Sequence, residues 1–293
     1  MSVHRNSHGQ PIGPLIDSTP AKPPSPTTLT GRFVTLNPLQ ASDATSLFPY
    51  ISGPTNDALF TYLPIGPYPS TSLSSFTSQI TSYSTRTPST LFFSISPHPG
   101  LPSSFLNTPT PPPSTPLSYI SYLNISPGSQ ALEIGNILFT APLQRTALGT
   151  EAIYLLLRHA FEDLGYKRVE WKCHSLNEKS VNAALRLGFS YEGTFRRHMV
   201  VKARRRDTWW ASITVEDWWG WEERDDDDDR GVRNPSVRDR DSKKIKVPAI
   251  ENESLSRKWA LKQWLKKENF EDQTGRQKKR LEEYQDWKNL HLN

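Results

Sequence analysis

The sequence predicts a mixed α/β fold, and three consecutive stretches predict it. EIGNILFT at 133–140 is short, apolar and free of proline, as a core strand should be. From Thr150 the apolar period changes: Ile153, Leu156, Leu157, Ala160, Phe161 and Leu164 repeat at helical spacing and predict one buried face. Gly165 stops that helix. RVEWKCH at 168–174 then reads as a second strand with Val169, Trp171 and Cys173 on one face.

The remaining elements follow in chain order. Residues 1–30 are rich in Ser, Thr and Pro and read as a flexible segment, mobile or draped over the surface. A domain is expected over 31–221. GRFVTLNPL at 31–39 supplies its first strand, and Ser42-Asp43 opens a short helix through Leu47 and Phe48. TYLPIGPYP at 61–69 is an aromatic loop punctuated by proline. SLSSFTSQITSYST at 72–85 is a helix with Leu73, Phe76 and Ile80 on one side, and LFFSIS at 91–96 is a strand. The proline run at 97–116 excludes strand and helix and reads as a loop insertion, whose PTPPP a polyproline-binding partner could use.

SYISYLNI at 118–125 alternates and pairs with 133–140 across SPGSQ. A helix capped by Asn177 places Val181, Ala184 and Leu185 inward. Two long strands, about 190–203 and 207–215, are joined by a basic turn at Ala203–Arg206, and Trp209 and Trp210 point to opposite faces. An acidic and polar linker at 222–250 marks a boundary, and 251–293 reads as a basic helical extension. Its aromatic residues among lysines suit either packing on the domain or contact with RNA, ribosome or protein.

Composition narrows the class. The single cysteine excludes an intramolecular disulfide framework and fits a reducing, cytoplasmic compartment. The first thirty residues lack the apolar run of a signal peptide, and no stretch approaches the length of a membrane span. The net charge of +5 is unevenly spread, with most basic residues beyond Arg145, so it does not by itself indicate nucleic acid. The seven histidines show no ligand spacing with Cys or carboxylates, so no metal is expected.

The loop at 144–150 carries the functional signal. A helix N-terminus presents unpaired N–H groups and a partial positive charge, and small residues at Ala147 and Gly149 let a pyrophosphate approach. Gln144-Arg-Thr-Ala147-Leu-Gly149 resembles the Gln/Arg-x-x-Gly-x-Gly/Ala signature of the GNAT superfamily of acyl-CoA N-acyltransferases, with alanine in place of the first glycine. EIGNILF, TEA, Asn177-x-x-Ser180, LGF at 187–189, YEGTFRRH and RRRDTWW follow in the family's order. They look most like the RimJ/RimL branch, the ribosomal-protein N-terminal acetyltransferase type. The resemblance is clear over about 118–218 and fainter back through TYLPIGPY to GRFVTLNPL.

The resemblance implies a central mixed, mostly antiparallel sheet flanked by helices, with splayed central strands. It implies acetyl-CoA as donor and direct attack by a primary amine, on a small molecule or a protein N-terminus. Ile137 and Phe139 would hold the pantetheine arm by their backbone groups. Gln144, Arg145, Thr146, Ala147, Leu148, Gly149 and Thr150 would hold the pyrophosphate. Asn177 would bond the pantetheine, cap its helix, or both; Ser180 is either the proton donor to the thiolate or simply the third residue of that helix. Glu133 is either the general base or a paired carboxylate at the strand start, and His198, an imidazole on the strand after YEG, is the other candidate base. The 61–69 loop is either a turn with core anchors or part of the acceptor pocket. Two other readings stay open: a biosynthetic enzyme using another acyl-CoA on a small amine, and a non-catalytic CoA-binding scaffold whose tail does the work.

Overall fold

The computed structural model describes residues 4–85, 87–107, 114–220, 256–271 and 274–285. One eight-stranded sheet runs through the molecule. In chain order the strands are β1 (Leu29–Thr30), β2 (Val34–Pro38), β3 (Thr90–Pro97), β4 (Ser118–Ser126), β5 (Ala131–Leu138), β6 (Arg168–His174), β7 (Ser190–Val201) and β8 (Arg204–Thr214). Their order across the sheet is β1-β2-β3-β4-β5-β6-β8-β7. Only β5 and β6 pair in parallel; the other neighbours are antiparallel. The parallel step demands a crossover, supplied by α3 (Ala147–Arg158) and the wider π turn that continues it over His159–Asp163.

The two faces of the sheet build two cores. On one face α1 (Asp43–Ile51) and α2 (Leu73–Ser84) bury Leu47, Phe48, Phe76 and Ile80 against Phe92, Tyr119 and Leu138. On the other, α3 places Leu148, Ala152, Leu155 and Leu156 over Ile120, Tyr122, Leu132 and Ile134. The alternation of RVEWKCH is realised: Val169, Trp171 and Cys173 are buried on the α3 face, while Arg168, Glu170, Lys172 and His174 alternate with them. Trp209 is buried with the α3 core, and Trp210 lies half-buried on the opposite face.

Residues 256–285 lie against that larger core. Helix α6 (Arg257–Trp264) follows α4 (Glu178–Arg186) and the short α5 (Val215–Trp219). It buries Ala260, Leu261 and Trp264, and Phe270 and Leu281 join the same cluster. Phe270 meets Phe33 edge-on at 5.1 Å, and Phe105 of the proline-rich insertion completes the contact at 5.4 Å from Phe33. Polar bonds reinforce it: Ser256 Oγ donates to the Trp218 carbonyl at 2.6 Å, and Arg257 pairs with Asp217 at 3.0 Å. The acidic run at 222–250 and the aromatic Trp287 lie outside the described residues.

Several local expectations change. The first strand starts later than expected, as β2 at Val34: Gly31–Phe33 form a turn after the short β1, and Glu151 of α3 takes the N–H groups of Arg32, Phe33 and Val34. Helix α3 begins at Ala147, three residues before the periodic apolar run, and its first turn is itself buried. The basic turn moves to Lys202-Ala203, both at positive φ, and Arg204–Arg206 belong to β8. Among the described residues of the second terminal stretch, Leu281–Tyr284 form a 3₁₀ turn and those before it are irregular.

Candidate active site

The sheet opens at its centre. The β5–β6 ladder holds Ala131, Leu132 and Glu133 against Arg168, Val169 and Glu170, then ends. β5 continues on its β4 side to Leu138, while β6 continues on its β8 side to His174. A bulge helps to turn β5 away: one extra residue lies between Gly135 and Leu138, Asn136 sits at φ 48°, and its side-chain amide donates to Ser121 Oγ at 3.0 Å. Ile137 and Phe139, both half-buried, lie at this splayed end.

The loop at 144–150 follows at once. Gln144 folds back, donating its side-chain amide to the Phe139 carbonyl at 2.8 Å. Asn107, from the proline-rich insertion, donates to the Gln144 carbonyl at 2.6 Å. Arg145 is exposed at φ 59°. Thr146 occupies the N-cap of α3 but makes no side-chain cap; its hydroxyl donates to the Leu143 carbonyl at 2.8 Å. The first-turn N–H groups of α3 therefore receive nothing from the cap residue. Ala147, Leu148, Gly149 and Thr150 form that buried turn, Leu148 serving the core outright. A Cβ at Gly149 would stand 3.2 Å from the Leu143 carbonyl oxygen and 3.2 Å from the Phe139 ring. Arg186 of α4 donates to Thr150 Oγ1 at 2.7 Å, bringing a half-buried cation to this turn.

Asn177 caps α4, accepting from the Ser180 N–H at 3.3 Å. Ser180 Oγ accepts the indole N–H of Trp171 at 3.0 Å and lies beside the Cys173 thiol, which burial pushes up. Ser180 thus belongs to the α3 side of the sheet.

Glu133 belongs to the other side. It is buried, 5 % exposed. Lys172 Nζ stands 2.9 Å from it and 2.7 Å from Glu170, and the Asn124 amide donates to it at 2.7 Å. Burial pushes the Glu133 carboxyl up; Lys172 and Asn124 act against that shift without cancelling it. Burial also works against the Lys172 charge, but the two carboxylates outweigh it and hold its pKa above the usual value. The chain of charges runs on through Arg168, which bonds Glu170 at 2.9 Å and also Glu192.

His198 shares this face. Its Nδ1 lies 3.0 Å from Thr208 Oγ1, and its ring lies 5.9 Å from that of Trp210. Trp210 carries Lys172 Nζ over its own ring at 4.0 Å. Glu133 and His198 are therefore linked through Lys172 and Trp210, with no direct bond between them. The opposite wall is the loop after Phe60: Tyr62 packs edge-on to His174 at 5.3 Å, and Lys202 Nζ donates to the Phe60 carbonyl at 2.9 Å. Tyr68 from the same loop is buried in the α1/α2 core. The loop thus anchors in the core through Tyr68 and reaches the end of β6 through Tyr62.

Sequence reasoning missed Lys172, Trp171, Asn107, Arg186 and Glu151 as parts of the site or its supports. Lys172 had a signal: a charged face on a central strand calls for partners. Glu151 had one too, an acidic residue within the buried stripe of α3. Asn107 and Arg186 had none, because their contacts join segments far apart in sequence. Among the described residues no cluster of His, Cys, Asp and Glu is placed to hold a metal ion. No described helix is long and apolar enough to cross a membrane.

The model of the acetyltransferase (GNAT) domain matches residues 34–190. A GCN5-related N-acetyltransferase from Brucella melitensis is 30% identical, with TM-score 0.71, over 92% of this chain and 99% of its own. A GNAT-family protein from Chromobacterium violaceum ATCC 12472 is 32% identical, with TM-score 0.61, over 71% of this chain and 97% of its own. The microcin C7 self-immunity acetyltransferase MccE, solved with acetyl-CoA and AMP, shares the fold at 22% identity and TM-score 0.51, over 63% of this chain and 93% of its own. No curated protein sequence matches the chain significantly. An eight-stranded sheet that opens beside a helix N-terminus, a domain match over more than half the chain and near-complete structural coverage agree: the chain belongs to the GNAT acetyltransferase family.

Proposed function

We propose that the protein transfers an acetyl group from acetyl-CoA to a primary amine by direct attack, in the manner of the RimJ/RimL branch and in the cytoplasm. One observation carries the reading: the β5–β6 ladder opens after Glu133, with the uncapped start of α3 beside the opening, Ser180 on one face and Glu133 on the other. A thioester lying in that opening would meet a base and an acid from opposite sides. MccE, of the same fold, holds acetyl-CoA.

The first turn of α3, from Ala147 to Thr150, and Arg145 take the pyrophosphate. The backbone of Ile137 and Phe139, freed from β6, takes the pantetheine arm, joined by Asn177. The Ile137 N–H polarises the thioester carbonyl. Glu133, made more basic by burial, receives the proton from the attacking amine. As the N–C bond forms and the C–S bond breaks, the Ser180 hydroxyl gives its proton to the departing thiolate. Because Ser180 already accepts from Trp171, its own hydrogen is left to donate. His198 stands two strands from the opening and lines the acceptor side.

The test is thiol release from acetyl-CoA across a panel of small amines and peptides. Acetylation of at least one amine, lost in Glu133→Gln and Ser180→Ala, is expected. CoA binding with no amine acetylated from either class would leave a binding protein and overturn the reading.

A further inference from the structure

We infer that the acceptor amine carries a carboxylate, and that the guanidinium of Arg206 receives it. The inference rests on the amine-acetyltransferase reading above and names its substrate class.

Arg206 stands where an acceptor must pass. The β6–β8 ladder ends at His174↔Thr208, so Arg206 lies one strand pair beyond the end of β6, at the mouth of the opening. Alternation along β8 puts it on the face of Thr208 and Trp210, the face of Glu133 and His198. Its charge acts on Cys173 and Glu133, so the guanidinium lies near both β5 and β6.

Its partners are missing. The side chain is half-buried and its Nε is fully covered, yet among the described residues the guanidinium makes no hydrogen bond and no ion pair. A buried donor left unpaired is costly, and native structures leave few. The neighbouring acids are already engaged: Glu133 holds Lys172 and Asn124, Glu170 holds Lys172 and Arg168, and Glu192 holds Arg168. Lys202, on the same hairpin, is bonded to a carbonyl, the Phe60 oxygen, and brings no negative charge. The rim of the cleft therefore holds a guanidinium whose covered Nε has no protein partner among the described residues. A carboxylate matches a guanidinium in shape and charge, and a neutral amide does not. Burial holds the Arg206 pKa below its usual value, the cost an anionic partner would offset.

Two sources carry such a group: the α-carboxylate of an amino acid, and the acidic side chain of a peptide N-terminus. The experiment pairs each with its uncharged amide, assayed with acetyl-CoA on the full chain. Wild type is expected to favour the carboxylate by roughly ten- to hundredfold in kcat/KM, the size of one charge-assisted contact. Arg206→Gln should bring that ratio toward one, and Arg206→Lys should restore part of it. CoA affinity by calorimetry confirms that each variant is folded. A preference in one arm alone identifies the source. No preference in either arm, or one that survives Arg206→Gln while Arg206→Lys is also unchanged, overturns the inference. If no amine is acetylated, the functional reading fails separately, and thermal shift of the CoA-loaded protein with N-acetyl amino acids decides this one. A carboxylate-dependent shift that Arg206→Gln removes supports it; equal shifts with acid and amide, or none, overturn it.

Discussion

The indole N–H of Trp171 donates to Ser180 Oγ at 3.0 Å, so the first turn of α4 is tied to the strand that borders the opening. The bond fixes which way the hydroxyl's own hydrogen can turn. It also changes what removing that hydroxyl should do.

Ser180→Ala should lower turnover by about a hundredfold while CoA affinity stays near normal, because a positioned proton donor is lost. Melting temperature should fall as well, since the Trp171 donor loses its acceptor at a cost of roughly 1–3 kcal/mol. Turnover series against pH, with calorimetry and thermal melts on the same samples, check all three. Turnover within about twofold of wild type would remove Ser180 from the chemistry.

The acid limb of kcat/KM should report Glu133. Burial raises its pKa, and a base acts only when ionised, so activity should rise with pH through a midpoint above the ordinary carboxylate value. Lys172→Met removes the charge that pulls this pKa down and should move the limb to higher pH. Stability has the opposite sign. A raised carboxylate stabilises the fold fully below its unfolded pKa, and that contribution is lost as pH rises through the folded value. Glu133→Gln should flatten both curves; an unchanged limb would assign it to another group.

Gly149→Glu should abolish CoA binding. The new carboxylate would enter the phosphate turn, where like charges repel. Gly149→Ala isolates the steric part, since its Cβ meets the Leu143 carbonyl and the Phe139 ring at 3.2 Å. Calorimetry should find a modest loss for alanine and none of the wild-type signal for glutamate. Equal affinities in two folded variants would place the pyrophosphate elsewhere.

Cutting the chain after Trp219 should loosen the larger core, whatever the composition of the acidic run suggests. Leu261, Trp264, Phe270 and Leu281 would leave it, each contributing about 1.5–3 kcal/mol by burial. Arg186, whose carbonyl accepts the Gln285 amide at 2.5 Å, would lose its cover beside Thr150. Near-UV circular dichroism should show weakened aromatic packing, and a sharp wild-type-like melt would contradict this.

Local pattern made much of the frame legible. Alternation predicted β6 residue for residue, and helical spacing predicted the buried stripe of α3. Asn177 capped α4 as its side chain requires. Pattern failed where the deciding partner lies far along the chain. Nothing near GRFVTL announces that Glu151 will take three of its N–H groups and delay the strand to Val34. Nothing in the proline-rich insertion announces that Phe105 is core and that Asn107 bonds the loop at Gln144. Resemblance brought Glu133 and Ser180 to notice, but the ion pair on one and the indole on the other needed three dimensions.

The grip of Glu151 on Arg32, Phe33 and Val34 spans 119, 118 and 117 positions of sequence. Contacts that distant must meet their closure entropy before they return anything. α3 can wind and dock on β5 from neighbouring residues alone, carrying a carboxylate whose three donors have yet to arrive. Assembly therefore has a direction: the middle of the chain forms the first turn of α3, and the N-terminal edge of the sheet is recruited afterwards by the helix it will cover.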